Sequence, residues 1–211
     1  MSAGARDRAV VHQVASLLLQ YPDDALTGRL PLLSAAVDTL PAGPRQPLRR
    51  FLDHLAGTPP PALAADYVAT FDLRRASCLY LTYYAYGDTR RRGMALLRFQ
   101  DAYRRAGLTL TGGELPDFLP VVLEFSATGD ARAAGRLLAE HRAGLELLRT
   151  GLREHGSPYA DVLDAVCLTL PPVGPRDLAA ALRLAKDGPP REDVGLQPFG
   201  PPGVSGPGGR R

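Results

Sequence analysis

Cysteine is scarce in this chain of 211 residues, which contains only Cys78 and Cys167. The two lie far apart, and neither belongs to a CxxC pair or has a histidine close by in the sequence. These spacings argue against a disulfide framework and against a zinc site. Both cysteines stand in apolar runs, ASCLYL and DAVCLTL, which predicts buried core thiols in a reducing compartment.

Long apolar runs are also missing, since no stretch reaches the roughly 18 residues that a membrane span needs. The N-terminal stretch MSAGARDRAVVHQVASLLLQYPDD superficially resembles a signal peptide. However, His12 and Gln13 interrupt its apolar part, and QYPDD stands where a small-residue cleavage site would be. We therefore expect an amphipathic first helix in a cytoplasmic protein without stable membrane insertion.

The motifs of the common catalytic and metal sites are absent as well. The four histidines are scattered, none has a glutamate three residues before it, and there is no HExxH, GxSxG, Walker or GxGxxG motif. The sequence therefore predicts no catalytic residue, no metal site and no bound cofactor. A helical enzyme of an unrecognised kind stays open as an alternative.

What the chain does contain is an ordinary globular composition, with 45% hydrophobic and 22% charged residues. Apolar residues recur at three- and four-residue spacing nearly throughout, which predicts one all-α domain over residues 1–187. Glycine and proline make up 13 of the last 24 residues, so we expect residues 188–211 to form a disordered tail. The first predicted helix ends at Tyr21. Further helical segments are predicted over residues 23–40, 44–56, 58–72, 76–88, 89–107, 118–125, 131–156, 157–170 and 175–187.

The basic residues are almost all arginine, because Lys186 is the only lysine among 25 basic residues. Arg91, Arg98 and Arg105 recur every seven residues and form a stripe on one predicted helix. Such a stripe suits a nucleic-acid or phosphate surface, and it also suits a solvated helix face that pairs with neighbouring acids. A nucleic-acid-binding helical protein is therefore a further alternative.

The segment GGELPDFLPVVLEF (112–125) admits three interpretations. Asp117 can be the N-cap of a helix that has Pro120 in its first turn. Glu114 and Glu124 can form a pair for acid/base catalysis. Alternatively, the segment can be an acidic edge beside exposed aromatic residues, which would suit a basic amphipathic peptide bound helix-in-groove. The residues alone leave all three open.

Several motifs in order resemble the NarJ family, the molybdenum cofactor assembly chaperones (delta subunit) of respiratory nitrate reductase, within the wider TorD-like chaperones. The resemblance rests on YVATFD (67–72), LYLTYYAYGDTRRRGMALLRF (79–99), Tyr103, Gly107 and ELPDFLPVVLEF (114–125). It is densest over residues 67–127 and extends more loosely towards both ends. It implies a TorD-like helical bundle that is not an enzyme and holds no cofactor of its own.

The resemblance also implies a partner and a binding site. The partner is the N-terminal segment of the catalytic (alpha) subunit, held in the cytoplasm for cofactor insertion before membrane attachment; molybdenum cofactor delivery proteins are further expected partners. Since the chain is basic overall, the acidic character that a basic peptide needs has to be local. The expected peptide-binding residues are Glu114, Leu115, Pro116, Asp117, Phe118, Phe125, Tyr67, Asp72, Tyr80 and Tyr83.

Overall fold

A computed structural model describes residues 3–74 and 77–190 of the chain. Within these ranges it contains eleven α-helices and no β-strand, which confirms the all-α prediction. Residues 191–211, most of the predicted disordered tail, lie outside the described ranges. The helices are α1 (Ala3–Leu18), α2 (Asp24–Asp38), α3 (Ala42–Gly57), α4 (Pro60–Tyr67), α5 (Leu81–Tyr86), α6 (Arg90–Arg105), α7 (Leu119–Thr128), α8 (Ala131–Glu140), α9 (Arg142–Glu154), α10 (Tyr159–Leu168) and α11 (Pro175–Asp187).

The first helix lies at the centre of the bundle. It packs against α7, α10 and α2, and α10 in turn packs against α3 and α9. Val11, Val14 and Leu18 of α1 are fully or almost fully buried in the common core. Spaced three and four residues apart, they form the apolar stripe of an amphipathic helix, so this stripe sets which face of α1 turns inward.

Helix boundaries follow the capping residues of the sequence. The Asp23 carboxylate accepts a hydrogen bond from the Leu26 amide at 2.8 Å and caps α2. Pro60 lies in the first turn of α4, where a missing N–H costs no hydrogen bond. Gly107 follows the end of α6 with a φ of +73°, a backbone conformation that glycine adopts without strain.

A short π-helical segment, Val68–Asp72, continues α4. Its wider turn is closed by a hydrogen bond from the Leu73 amide to the Val68 carbonyl at 3.1 Å. π-Helical turns are rare and often occur at functional sites. The segment carries Phe71 and Asp72, both of which line the cleft described below.

The stretch 131–156, predicted as one helix, consists of two, so that prediction was wrong. The break lies at His141, whose φ of −104° and ψ of 19° leave the α-helical region. The two halves have different packing partners: α8 packs on α7 and α6, whereas α9 packs on α10, α11 and α5. Since one straight rod of 26 residues would extend over about 39 Å, a bend is needed for both halves to reach these partners.

The aromatic stretch predicted as a helix from residue 76 becomes helical only at Leu81. Before it, Tyr80 pairs with Phe118 in an isolated antiparallel bridge. The Leu119 amide donates to the Leu79 carbonyl at 2.8 Å, and the Leu81 amide donates to the Asp117 carbonyl at 3.0 Å. This bridge joins the aromatic stretch to the ELPD segment, two parts of the chain that lie far apart in sequence.

No helix in the described part of the chain combines the length and apolar character that a membrane span requires.

Candidate functional site

Asp117 is not the N-cap of the helix that follows it. Helix α7 begins at Leu119 with Phe118 as its N-cap residue, and Asp117 is 0% exposed. Its Oδ2 atom accepts hydrogen bonds from the Thr82 amide at 3.0 Å and from the Thr82 hydroxyl at 2.5 Å. Since Thr82 lies in the first turn of α5, Asp117 caps α5 from a position 35 residues away. The bridge between Tyr80 and Phe118 holds the two segments in this register.

Arg92 completes this interior cluster. Its side chain is largely buried, and its Nε donates to the Thr82 hydroxyl at 3.1 Å. Its Nη2 lies 3.8 Å from the Asp117 carboxylate, and its guanidinium stacks over the Tyr80 ring at 5.6 Å from the centroid. This role had not been predicted from the sequence, although Arg92 precedes the buried Phe99 by seven residues and thus shares its inner stripe.

A cleft of about 560 Å³ lies beside this cluster, between the start of α2, the end of α4 and the start of α7. It collects five of the residues predicted to bind a peptide: Tyr67, Asp72, Tyr80, Glu114 and Phe118. The remaining lining residues are Gln20, Tyr21, Asp23, Phe71, Cys78, Leu79, Pro120, Val121 and Glu124. Most of these had not been predicted as site residues, because only the folded chain brings them to the same place.

Negative charge dominates the cleft. Four carboxylates line it, those of Asp23, Asp72, Glu114 and Glu124, and no lysine, arginine or histidine is found among its described lining residues. The Tyr80 hydroxyl donates to Glu114 Oε2 at 3.0 Å. Partial burial, and to a smaller extent this hydrogen bond, raises the pKa of Tyr80 to about 12. The cleft is therefore locally acidic in a chain with a formal net charge of +3.

Aromatic rings form two walls of the cleft. On one side, the Tyr67 ring lies 5.5 Å from Tyr21 and 4.9 Å from Phe71, between ring centroids. On the other side, Tyr80 and Phe118 stack at 5.2 Å. Such pairs stabilise each other beyond their area burial, so the walls are held in place before any ligand enters. Burial also raises the pKa of the Tyr67 hydroxyl, which donates to the Leu19 carbonyl and stays neutral.

The other predicted site residues lie elsewhere. Pro116 is buried, and its carbonyl accepts a hydrogen bond from the Tyr103 hydroxyl at 2.5 Å. Phe125 is also buried and packs edge-on against Tyr103. The face of α7 that carries Phe125 is thus its core face, so the expectation that Phe125 forms exposed binding surface is corrected. Leu115 is exposed outside the cleft lining, and the half-buried Tyr83 packs against Tyr84.

In the described part of the chain, no group of three or more His, Cys, Asp or Glu residues could hold a metal ion. The two cysteines are free and half-buried, rather than fully buried as predicted. Burial raises the pKa of Cys167 to about 11, which keeps its thiol protonated. Burial also lowers the pKa values of His12 and His141 to about 4, so both rings are neutral at neutral pH.

Comparison with known proteins yields a consistent set of relatives. Residues 37–165 match the family model described as nitrate reductase delta subunit. The chain is 45% identical over 161 residues to the nitrate reductase-like protein NarX of Mycobacterium tuberculosis. The matched region makes up 76% of this chain but only 24% of that protein. It is 33% identical over 174 residues to the probable nitrate reductase molybdenum cofactor assembly chaperone NarJ of Bacillus subtilis, covering 81% of this chain and 94% of the relative.

A solved structure has a similar fold. The crystal structure of a candidate redox enzyme maturation protein from Archaeoglobus fulgidus aligns with a TM-score of 0.55 at 23% identity. The alignment covers 75% of this chain and 90% of the other. At this level of identity the likeness concerns the helical architecture alone.

Proposed function

The chain belongs to the nitrate reductase delta subunit family, and on that premise we propose that it is an assembly chaperone of a nitrate reductase and not an enzyme. The name carried by its Bacillus subtilis relative supports the role in molybdenum cofactor assembly. In this proposal the cofactor belongs to the client protein. The chaperone holds the catalytic subunit in the cytoplasm until the cofactor is inserted, and the subunit attaches to the membrane only afterwards. Proteins that deliver the cofactor are the second class of partner.

The client segment is the N-terminal peptide of the catalytic subunit, bound in the acidic cleft. The observation that carries this proposal is the cleft's combination of four carboxylates with two aromatic walls and no basic lining residue among those described. A basic amphipathic helix matches both features, because its apolar face can pack on rings while its basic face meets carboxylates.

The aromatic residues of the cleft would supply most of the affinity. Phe118 and Phe71 are half-buried and retain surface towards the cleft, and neighbouring rings fix them in place. Rigid aromatic anchors in a partly closed site are typical hot spots of peptide binding. Glu114 and Asp72 are exposed, so their ion pairs with the peptide would guide encounter and register more than they add affinity.

The decisive experiment compares charge-reversal variants in calorimetric binding of a peptide covering the first ~15–40 residues of the catalytic subunit. Asp72→Lys with Glu114→Lys should weaken binding about ten- to thirtyfold at low salt, since each exposed pair contributes up to about 1 kcal/mol and reversal makes it repulsive. The difference should shrink as salt is added.

The matched control is Asp53→Lys with Glu154→Lys, two exposed carboxylates on α3 and α9 outside the cleft. This pair changes the net charge by the same amount and should leave peptide affinity within about twofold. Equal losses in both double variants would mean that net charge, not the cleft, attracts the peptide. Failure of the tagged full-length chain to capture the catalytic subunit would overturn the chaperone role itself.

A further inference from the structure

Helix α6 (Arg90–Arg105) has a second face that the acidic cleft does not use. Its inward face carries Ala95, Phe99 and Tyr103, which are buried. At 100° per residue, Met94 and Leu97 point almost directly away from these three. Their side chains are accordingly exposed, Met94 at 69% and Leu97 at 47%. Two large apolar side chains thus occupy the most outward position of a helix on the protein surface.

Arginines flank this apolar pair on both sides. The helix carries six arginines and one aspartate, a net charge of +5, whereas the whole chain carries +3. Arg98 forms an ion pair with Glu140, with an N–O distance of 2.8 Å, and Arg104 forms one with Asp101 at 2.9 Å. For Arg91 and Arg105, both exposed, the described residues provide no ion pair. Apart from Arg92, which turns inward, the arginines of α6 are exposed, so the exposed surface of this helix is locally positive.

We infer that this outward face of α6 is an interfacial surface that docks on anionic lipid headgroups. An amphipathic helix that lies in the plane of a membrane interface has this pattern, with apolar side chains pointing into the acyl boundary and basic side chains beside them at the headgroups. Arginine suits the position, because its aliphatic stem stays in the apolar zone while its guanidinium reaches the phosphates. Each basic residue near an anionic surface adds to the attraction.

The geometry favours a lipid surface over nucleic acid or an acidic protein. A phosphate backbone attracts the arginines but offers no apolar contact to Met94 and Leu97, which would stay in water. An acidic protein would have to present a concave site to this convex helix, whereas a lipid surface adapts to it and is uniformly charged along the helix length of about 24 Å. A lipid surface therefore provides contacts for both the apolar side chains and the arginines of this face.

Docking through α6 leaves the acidic cleft available. Arg92 lies on the inward side of α6 and stacks over Tyr80, which lines the cleft. The outward face and the cleft are consequently on different sides of this helix. The chaperone could then rest on the membrane surface and hold a client peptide at the same time, and lipid binding is independent of the proposed peptide site.

The test is flotation of the full-length protein with vesicles of phosphatidylcholine alone and of phosphatidylcholine mixed with phosphatidylglycerol. The wild type should float with the anionic vesicles only. Arg91→Glu with Arg105→Glu should lower the partition coefficient at least tenfold. Met94→Ser with Leu97→Ser should lower it several-fold and make the remaining binding more sensitive to salt, because only the electrostatic part is left.

Arg29→Glu with Arg45→Glu is the matched control, since these exposed arginines lie on α2 and α3. This control should bind anionic vesicles like the wild type apart from a small net-charge effect. The inference is overturned if the wild type ignores anionic vesicles, if the control loses as much binding as the α6 variants, or if a single-stranded RNA oligonucleotide binds through α6 and the vesicles do not. Client-peptide affinity, measured in parallel, should be unchanged in every α6 variant, so failure here leaves the peptide site unaffected.

Discussion

At the scale of single residues, two carboxylates of the same tetrapeptide have opposite environments. Glu114 is exposed at the cleft and accepts a hydrogen bond from the Tyr80 hydroxyl. Asp117, three residues later, has no exposed surface and accepts hydrogen bonds from the amide and the hydroxyl of Thr82. A carboxylate removed from water needs such partners, whereas an exposed one remains free to meet a ligand. The motif therefore combines a structural acid with an acid suited to binding.

This contrast predicts separable effects of two alanine substitutions. Asp117→Ala should lower the free energy of unfolding by about 3–5 kcal/mol, because it removes the carboxylate beside the largely buried Arg92 and leaves the first turn of α5 without its acceptor. Glu114→Ala should change it by less than about 0.5 kcal/mol, as for an exposed side chain. Urea unfolding followed by circular dichroism measures both. A loss at Glu114 as large as that at Asp117 would contradict the assignment.

At the scale of elements, close packing of α9 against α5 holds the aromatic stretch in place. Gly144 of α9 faces Tyr84 of α5 so closely that a Cβ atom at residue 144 would lie 2.8 Å from the Tyr84 Cβ. Tyr84 is buried, and its hydroxyl donates to the Cys78 carbonyl at 2.8 Å, which limits how far the ring can move. Helix α5 also carries Thr82, the partner of Asp117, so a shift of α5 would disturb that capping contact.

Gly144→Ala should therefore lower the free energy of unfolding by about 1–3 kcal/mol, the usual cost of overpacking a core. The same substitution at Gly151 provides a control in the same helix, since a Cβ there meets no atom within 4 Å. Gly151→Ala should stabilise the protein by about 0.5–1 kcal/mol through its helix propensity. Thermal or urea unfolding distinguishes the two, and equal effects at both positions would rule out the steric explanation.

At the scale of the whole molecule, one buried histidine joins three distant parts of the chain. His12 of α1 lies 2.7 Å from the Ser126 hydroxyl of α7 and 2.7 Å from the Thr169 hydroxyl after α10. Because the Thr169 hydroxyl donates to the Val166 carbonyl, it accepts from His12 Nε2–H, and Nδ1 then accepts from Ser126. This arrangement requires a neutral ring, and burial together with the nearby Arg8 lowers the pKa of His12 to about 4.

The neutral histidines predict an acid-sensitive fold. Unfolding returns the pKa values of His12 and His141 from about 4 to about 6.5, so the unfolded chain binds more protons between these limits. Stability is then fully present above pH ~6.5 and falls as the pH drops, by up to about 1.4 kcal/mol per pH unit for each histidine. Urea unfolding between pH ~6.5 and ~5 measures the slope, which His12→Gln should reduce. An unchanged slope in that variant would contradict the role of His12.

Charge is also distributed unevenly over the whole molecule. The cleft carries four carboxylates, while α6 exposes five arginines and only one carboxylate. A formal net charge of +3 conceals this separation. The four carboxylates of the cleft come from three separate parts of the chain: the start of α2, the π-helical segment after α4 and the segment 112–125.

The sequence by itself determined the features that depend on near neighbours. Proline and aspartate positions marked the starts of α2 and α4, Gly107 marked the end of α6, and apolar spacing identified the core face of α1. The motifs of residues 67–127 were sufficient to identify the family. Each of these signals acts within a few residues, so it can be read without knowing the fold.

Only the tertiary structure decided which residues of those motifs face solvent. Local spacing allowed Asp117 as an N-cap, and the family resemblance led us to expect Phe125 in the binding surface. Asp117 instead bonds Thr82, and Phe125 packs on Tyr103, partners that belong to other helices. The break at His141 likewise depends on what α8 and α9 pack against. Burial, and with it the distinction between the buried Asp117 and the exposed Glu114, depends on long-range contacts that local sequence patterns do not record.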